Sequence, residues 1–227
     1  MLYDAHRQLA TPGARSACPA CGQPLIAKCG PIVIWHWAHL TDDCDPWAEP
    51  ESQWHLGWKR RLEKAGCRIE VTMGPHRADV ITPFGHIIEL QARYQTLDTI
   101  KAREAFYGEA LGWLYQCDWQ DRIHWGERGF WWKHGSPAMV HHERPVLWDL
   151  GKDLVRVDLG FAEREDGKVR ILGRFANRVP HREAIERWTG VPQPTFDNDA
   201  PVMAGIQRHP IASLEDALAY HFEIERA

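Results

Sequence analysis

The sequence lacks three features that would each assign it to a class of protein. It has no apolar run approaching the roughly 18 residues that span a bilayer, so we expect no membrane partner. Residues 1–9 include Asp4, His6 and Arg7 where a secretory signal needs an apolar core, so we expect no signal either. Lys and Arg number 27 against 31 Asp and Glu, which gives no sign of nucleic-acid binding. A local basic patch is compatible with that total, so net charge alone decides nothing about DNA or RNA.

Cysteine is present six times, but nothing in the sequence indicates an exported disulfide framework. Two of the cysteines form Cys18-Pro-Ala-Cys21, a spacing that suits a single metal ion. Disulfides are rare in reducing compartments, whereas metal-binding cysteines are common there. We therefore expect a cytoplasmic, soluble protein with reduced cysteines.

The residue composition and periodicity of the chain change twice, which predicts three parts. Residues 1–46 hold four of the six cysteines and short apolar runs broken by Gly and Pro, as in a small zinc-binding module. Residues 47–145 carry helix and strand periodicities and are predicted to form the main domain. Residues 146–227 alternate predicted strands and helices in an α+β region without recognisable chemistry. The length of 227 residues fits one full domain with a small appendage.

Periodicity in the middle part predicts an α/β domain. A helix begins after Pro50, carries Trp54, Trp58 and Leu62 on one face, and ends near Gly66. Turn-forming residues then separate short extended runs, and a second helical period follows. The predicted strands cover 67–73, 77–82 and 86–91, and they are followed by a helix over 97–115 and a strand over 122–125. This order is αβββαβ. Further along, strands over 154–161 and 168–175 and helices over 182–189 and 214–224 are predicted.

The first part contains two pairs of metal-binding side chains. Cys18 and Cys21 are separated by two residues, and His36 and His39 follow in the run His-Trp-Ala-His. Two thiolates and two imidazoles are a common ligand set for a tetrahedral structural Zn²⁺. The sequence therefore predicts a zinc site formed by Cys18, Cys21, His36 and His39.

Alternatives to this ligand set remain open on the sequence. His36 and His39 are three residues apart and reach one ion only if their segment is helical or turned. Either Cys29 or Cys44 could replace a histidine. A different interpretation makes Cys18 and Cys21 a redox dithiol, but no strand-to-helix context typical of that chemistry surrounds them.

Carboxylates on two predicted strands indicate a second metal site. Asp79 lies on one strand and Glu89 on the next, so a hairpin would bring both carboxylates together. Glu89 and Gln91 share a face because side chains alternate along a strand. Two carboxylates with the carbonyl of Leu90 between them form the hard oxygen site that Mg²⁺ or Mn²⁺ prefers. We therefore predict a catalytic divalent ion bound here.

The predicted helix adds three polar side chains to this site. Glu51, His55 and Lys59 recur every four residues and so line one side of the helix. Glu51 is predicted to complete the metal shell, while His55 or Lys59 contacts a phosphate or orients the attacking water. Taken singly these are ordinary surface side chains. Their combination in this order favours a site that hydrolyses phosphodiester bonds.

Five short motifs follow one another along the chain: Cys18-x-x-Cys21, His36-Trp-Ala-His39, Glu51-Ser-x-x-His55-x-x-x-Lys59, Arg77-Ala-Asp79-Val and Glu89-x-Gln91. In order and spacing, over residues 15–150, this set resembles the competence protein CoiA family of nucleases. The resemblance implies a PD-(D/E)XK (restriction-endonuclease-like) core, with a central mixed sheet flanked by helices.

The same resemblance implies roles for individual residues. Asp79 and Glu89 would be metal ligands, Glu51 the acid carried by the helix, and Gln91 would stand where many members of the superfamily have lysine. Arg103 and Tyr107 fit polar positions that the family places after this motif. A glutamine cannot supply the positive charge of a lysine, so Lys59 is expected to supply it from the helix.

The expected function is therefore Mg²⁺- or Mn²⁺-dependent cleavage of DNA, by an endonuclease acting in recombination, in DNA uptake, or in mobile-element or defence processing. The alternative is a DNA-binding accessory protein that keeps the fold without turnover. The resemblance also allows a homodimer and recombination proteins as partners.

Overall fold

The computed structural model describes residues 8–31, 35–40, 44–45, 47, 51–118, 120–126, 129–163, 169–176 and 178–193. The helix predicted over 214–224 lies outside these residues. Within them, none of the helices combines the length and the apolar character that crossing a bilayer requires.

The N-terminal part forms a small antiparallel sheet of three strands: β1 (Arg15–Ala17), β2 (Pro24–Lys28) and β3 (His36–His39). Its core contains Ala10, Cys18, Leu25 and Trp37, all nearly inaccessible to solvent. The Trp37 indole nitrogen donates a hydrogen bond to the Gln8 carbonyl at 2.8 Å. So small a core benefits from a metal or another crosslink to hold it together.

The main domain begins with the predicted succession of elements. These are α1 (Gln53–Lys64), β4 (Arg68–Met73), β5 (His76–Ile81), β6 (Ile87–Gln91), α2 (Leu97–Tyr107) and β7 (Leu111–Gln116). The predicted mixed α/β architecture and the αβββαβ order are therefore present. The three meander strands differ by one residue or so at their ends from the predicted ranges.

The second helix and the fourth strand required correction. The prediction continued the helix to residue 115, but it ends at Tyr107, where Gly108 follows with φ +65°. Residues 111–116 instead form β7, which pairs in parallel with β6 on one side and with a later strand on the other. A central strand that is buried on both faces has no apolar–polar alternation, so its apolar run was taken for a helix.

The remaining elements are β8 (Ile123–Trp125), β9 (Phe130–Trp132), β10 (Val146–Asp149), β11 (Asp153–Glu163), β12 (Val169–Phe175), β13 (Val179–Pro180) and α3 (His181–Thr189). The strands predicted over 154–161 and 168–175 and the helix predicted over 182–189 are confirmed. The strand predicted over 122–125 exists as β8, but it lies at the far edge of the sheet and not beside β6.

Strands β4 to β13 form one mixed sheet. Its order is β4-β5-β6-β7-β10-β11-β12-β9-β8, with β13 paired to β11. Both β6–β7 and β7–β10 are parallel pairs, and the other pairs are antiparallel. The sheet crosses residue 146, where the sequence suggested a boundary. The division of the chain into three independent parts stays a prediction.

Apolar side chains on the two faces of the sheet form two separate cores. Ile88 and Leu90 belong to a cluster with α1 and α3, whereas Ile87 on the same strand belongs to a cluster with Tyr107 of α2. Each fully buried residue of this kind contributes roughly 1.5–3 kcal/mol. The sheet is thus covered by helices on both faces near β5, β6 and β7, where the predicted site residues lie.

Candidate functional site

A cluster of three cysteines and one histidine lies beside the small N-terminal sheet. Ligand atoms of Cys18, Cys21, His39 and Cys44 all lie within 4.8 Å of one another. The two sulfurs of Cys18 and Cys44 are 3.7 Å apart, and Cys21 Sγ is 3.4 Å from His39 Nε2. A tetrahedral Zn²⁺ with bonds of about 2.3 Å to sulfur and 2.0 Å to nitrogen requires separations of about 3.8 and 3.5 Å. The donor set therefore fits a zinc ion.

The backbone around Cys18 forms a tight turn that brings Cys18 and Cys21 close together. Cys18 N donates to Gln23 O, and Gly22 N donates to Cys18 O, both at 2.9 Å. Gly22 has φ +72°, a conformation that glycine adopts without steric cost. Ala20 N points at Cys18 Sγ, 3.4 Å away. A hydrogen bond from the Gln23 backbone lowers the pKa of the Cys21 thiol to about 7, which favours the metal-binding thiolate.

Three of the four predicted zinc ligands are brought together, but Cys44 takes the place expected for His36. Both histidines belong to the extended strand β3, where residues three apart point to opposite faces. Only His39 therefore faces the cysteines. Cys29, the other alternative, packs against the core of the small sheet and is not in the cluster. The choice among the candidates depended on a strand and a loop that the spacing alone does not define.

The six residues predicted for catalysis all line one pocket in the main domain. They lie with five others on its wall: Asp45, Trp47, Glu51, His55, Lys59, Arg77, Asp79, Glu89, Leu90, Gln91 and Arg103. The helix and the two strands thus converge as expected. The roles of the six side chains in a reaction stay predictions.

His55 connects the start of α1 to β6. Its Nδ1 accepts a hydrogen bond from Ser52 N at 3.1 Å, while the Ser52 hydroxyl accepts one from His55 N, which forms a capping box. Nε2 therefore carries the proton, which it donates to Leu90 O at 3.2 Å. Burial lowers the pKa of His55 and favours this neutral form. Both ring nitrogens thus have protein partners in the structure, and the predicted contact of His55 with phosphate stays a prediction.

The Lys59 ammonium lies among three carboxylates. It contacts Glu51, Asp79 Oδ1 at 3.0 Å and Glu70 Oε1 at 3.3 Å, and its side chain is 3% exposed. Burial opposes its charge, but attraction by Asp79, Glu51 and Glu70 outweighs burial and holds the pKa of Lys59 well above its usual value. Lys59 is thus a permanent cation between two predicted metal ligands, Glu51 and Asp79.

Asp79 and Glu89 lie side by side on β5 and β6 with different partners. Asp79 Oδ2 accepts a hydrogen bond from Leu90 N at 3.0 Å, and Glu89 Oε2 accepts one from Arg103 NH1 at 2.6 Å. Burial opposes the charge of Asp79, but Lys59, His55 and the hydrogen bond from Leu90 N together outweigh burial and lower the pKa of Asp79. Burial and the neighbouring Asp79 raise the pKa of Glu89 to about 7. Asp79 is therefore the more firmly ionised carboxylate of this pair.

Arg103 and Tyr107, the two polar positions on α2, have unequal relations to the pocket. Arg103 lines it, binds Glu89 and donates from NH2 to Trp47 O at 2.9 Å. Tyr107 is 7% exposed and packs in the core beside Trp47, with ring centroids 6.0 Å apart. Gln91 is buried, and its Oε1 accepts a hydrogen bond from Gln95 Nε2 at 2.5 Å.

The sequence did not indicate Asp45 or Glu70, although both hold the site together. Asp45 accepts hydrogen bonds from His76 Nδ1 and Arg77 N, each at 3.0 Å, and so links the loop after Cys44 to β5. Glu70 is 4% exposed and binds Lys59. A lone acidic residue in a strand or a loop gives no pattern, so neither could have been chosen without the fold.

The pocket offers oxygen ligands for a divalent ion, but a lysine lies among its carboxylates. Glu51 Oε2 is buried without a hydrogen-bond partner, so this oxygen could serve as a ligand atom. Among the described residues, no second set of three metal-binding side chains is as close together as the cysteine cluster. Lys59 contacts both Glu51 and Asp79. Carboxylates are the oxygen ligands that Mg²⁺ and Mn²⁺ prefer, and the catalytic ion at this pocket stays a prediction.

Residues 6–46 match the family model for the competence protein CoiA, N-terminal domain. This stretch contains all four residues of the cysteine–histidine cluster and ends before α1. No curated protein and no solved structure matches the chain. The N-terminal part is thus similar to that of a competence protein, which is consistent with a competence-related role, and of the residues that line the pocket the match includes only Asp45.

Proposed function

We propose that this chain is a Mg²⁺- or Mn²⁺-dependent deoxyribonuclease with a PD-(D/E)XK core, and that it cuts DNA internally. One observation carries the proposal: Glu51, Asp79, Glu89, Gln91 and Lys59 line a single pocket on an αβββαβ framework. That arrangement agrees with the resemblance in the sequence. The match of residues 6–46 to a competence protein supports a substrate of DNA taken up or recombined in the cytoplasm.

The chain's own residues have distinct tasks in this proposal. Glu51, Asp79 and Glu89 would hold the ion, which would polarise the scissile phosphate and acidify a bound water. Lys59 supplies the positive charge that Gln91 cannot, next to the developing charge on the phosphate. Arg103 fixes the orientation of Glu89 through its 2.6 Å contact. His55 fixes the start of α1, and with it Glu51, against β6.

The zinc module lies where it could guide DNA to the pocket. Cys44 belongs to the cluster, and the next residue, Asp45, lines the pocket and binds the backbone of Arg77. Arg77 is two residues from Asp79 on β5. A metal-stabilised module connected to β5 in this way would place its surface beside the scissile phosphate. The complete four-ligand set also argues against a redox dithiol at Cys18 and Cys21.

The test is cleavage of labelled single-stranded, duplex and branched DNA by the purified chain in Mg²⁺, Mn²⁺ or EDTA. We expect cleavage with either ion, none in EDTA, and a loss of at least about 100-fold in Asp79→Ala. Asp158→Ala is the matched control, because Asp158 is also a strand carboxylate but is 54% exposed and outside the pocket. Equal activity of Asp79→Ala and wild type would rule out the proposed site.

A second candidate is a DNA-binding protein without turnover. The observation that favours it is that Lys59 and Arg103 form ion pairs with Glu51, Asp79 and Glu89. Such a protein would bind DNA in EDTA and leave every substrate intact in both ions. A homodimer and recombination proteins as partners stay expectations under either candidate, and sedimentation with and without DNA measures the first.

A further inference from the structure

In the hairpin of β4 and β5, the side chains before and after Glu70 and Asp79 pack on opposite faces of the sheet. Side chains two apart on a strand normally share a face. Ile69, however, packs in the cluster with α1 and α3, whereas Val71 packs against the cluster with α2. The paired residues on β5 change clusters in the same way on either side of Asp79. Glu70 and Asp79 are therefore at the seam between the two cores, where Lys59 also lies.

Glu70 has an unusual backbone conformation at the position where the packing changes from one core to the other. Its φ is +52°. Among the described residues other than glycine, only Glu70 and His134 have a positive φ. Glycine adopts this conformation more easily than any residue with a Cβ atom. A glutamate here has a side chain that is 4% exposed and reaches Lys59 Nζ at 3.3 Å. Strained backbone at such a place is a reason to look for a task performed by the side chain.

The three carboxylates around Lys59 are not equivalent. Glu51 and Asp79 line the pocket and are the proposed ligands of the divalent ion, whereas Glu70 does not line the pocket. An ion bound by Glu51 and Asp79 would displace the Lys59 ammonium from both, because like charges repel at this range. Glu70 is the carboxylate that would still hold it.

We propose that Glu70 is a positioning residue that retains Lys59 at the edge of the pocket when a divalent ion occupies Glu51 and Asp79. The inference rests on the proposed function. Without the ion, the ammonium of Lys59 contacts all three carboxylates. With the ion, it rests on Glu70, near enough to the pocket to meet a substrate phosphate. Glu70 thereby makes it easier for the ion to displace Lys59.

The test is Mn²⁺ binding to the full chain, measured by electron paramagnetic resonance without DNA. Glu70→Gln removes the charge that receives Lys59, so Lys59 competes more strongly and Mn²⁺ binds about tenfold more weakly, as expected for loss of one charged contact. Lys59→Gln removes the competitor and tightens binding. In the Lys59→Gln background, Glu70→Gln should change the affinity by less than about threefold, because Glu70 acts through Lys59.

The matched control is Glu109→Gln, which removes a carboxylate that is 90% exposed and outside the pocket, and it should bind Mn²⁺ like the wild type. Equal weakening by Glu70→Gln in both backgrounds would mean that Glu70 acts on the ion directly and would overturn this inference alone. Absence of Mn²⁺ binding by a folded wild type would overturn the proposed function and the inference together.

A further variant covers the case in which Lys59→Gln does not fold, as judged by its thermal melt. Glu70→Gly removes the carboxylate but keeps the left-handed backbone at no steric cost. Weakening equal to that of Glu70→Gln supports a task for the carboxylate. Wild-type affinity in both Glu70 variants would show that only the backbone of this position matters, and the inference would be wrong.

Discussion

The two candidate metal sites differ in what holds their ligands together. In the N-terminal cluster, Cys18, Cys21, His39 and Cys44 approach one another as a zinc ion would require. In the pocket, Glu51 and Asp79 already have Lys59 between them, and Glu89 has Arg103. The cluster therefore has the ligand set and spacing of a structural metal site. The carboxylates of the pocket already have protein cations as partners, so an ion bound there would compete with Lys59.

The largest effect is expected from the ligands of the cluster. Cys44→Ser and His39→Ala should each lose the bound zinc, measured by metal analysis, and lower the melting temperature of the N-terminal part. Structural zinc sites contribute on the order of 10 kcal/mol to folding, so the loss should be severe. His36→Ala and Cys29→Ser are the controls, because neither residue is in the cluster, and both should retain one zinc per chain. Loss of zinc in His36→Ala alone would restore the ligand set expected from the sequence.

A smaller effect is expected from Lys59, which belongs to the pocket and not to the cluster. Lys59→Ala should lower the rate of DNA cleavage at saturating Mg²⁺ by about 100-fold, the usual effect of removing a group that stabilises developing charge. Zinc content should be unchanged. Lys101→Ala on the exposed surface of α2 is the control and should cleave at the wild-type rate. Full activity in Lys59→Ala would show that the required charge comes from elsewhere.

The sequence predicted residues that lie together because of a local helix or strand period. It did not predict those whose proximity depends on the arrangement of distant segments. The acids of β5 and β6 and the polar face of α1 could be found because strand and helix periods fix which side chains share a face. β7 was missed because a strand buried on both faces has no alternation. Cys44 could not be preferred to His36 without knowing that β3 is extended. Glu70 became visible only through its left-handed backbone and its contact with Lys59.

The smallest effect on stability is expected from a third region, the hydrogen bonds of Asp149 that connect α1 to β10 and α3. Buried Asp149 accepts hydrogen bonds from the indoles of Trp54 and Trp58 at 2.7 and 2.8 Å, and from His181 Nε2 at 2.7 Å. Burial opposes ionisation, but these hydrogen bonds outweigh it and lower the pKa of Asp149 from 3.8 to about 2. The ionised carboxylate is therefore a stabilising contact between α1, β10 and α3.

A lowered pKa in the folded state means that this contribution is present above pH 4 and lost as the pH falls towards 2. The fall of the pKa from 3.8 to about 2 corresponds to roughly 2 kcal/mol. Asp149→Asn should accordingly lower the free energy of unfolding at pH 7 and flatten its fall between pH 4 and 2, both measured by urea denaturation. Parallel pH profiles for the variant and the wild type would contradict this assignment.

Selective chelation separates the two metal sites most directly. Brief dialysis against EDTA should abolish DNA cleavage while the protein keeps one zinc per chain, because four ligands enclose the zinc and the pocket is open. Addition of Mg²⁺ or Mn²⁺ alone should then restore cleavage. If cleavage returned only with Zn²⁺, or persisted until zinc itself was removed, the pocket would not be the catalytic centre and the distinction between a structural and a catalytic ion would be wrong.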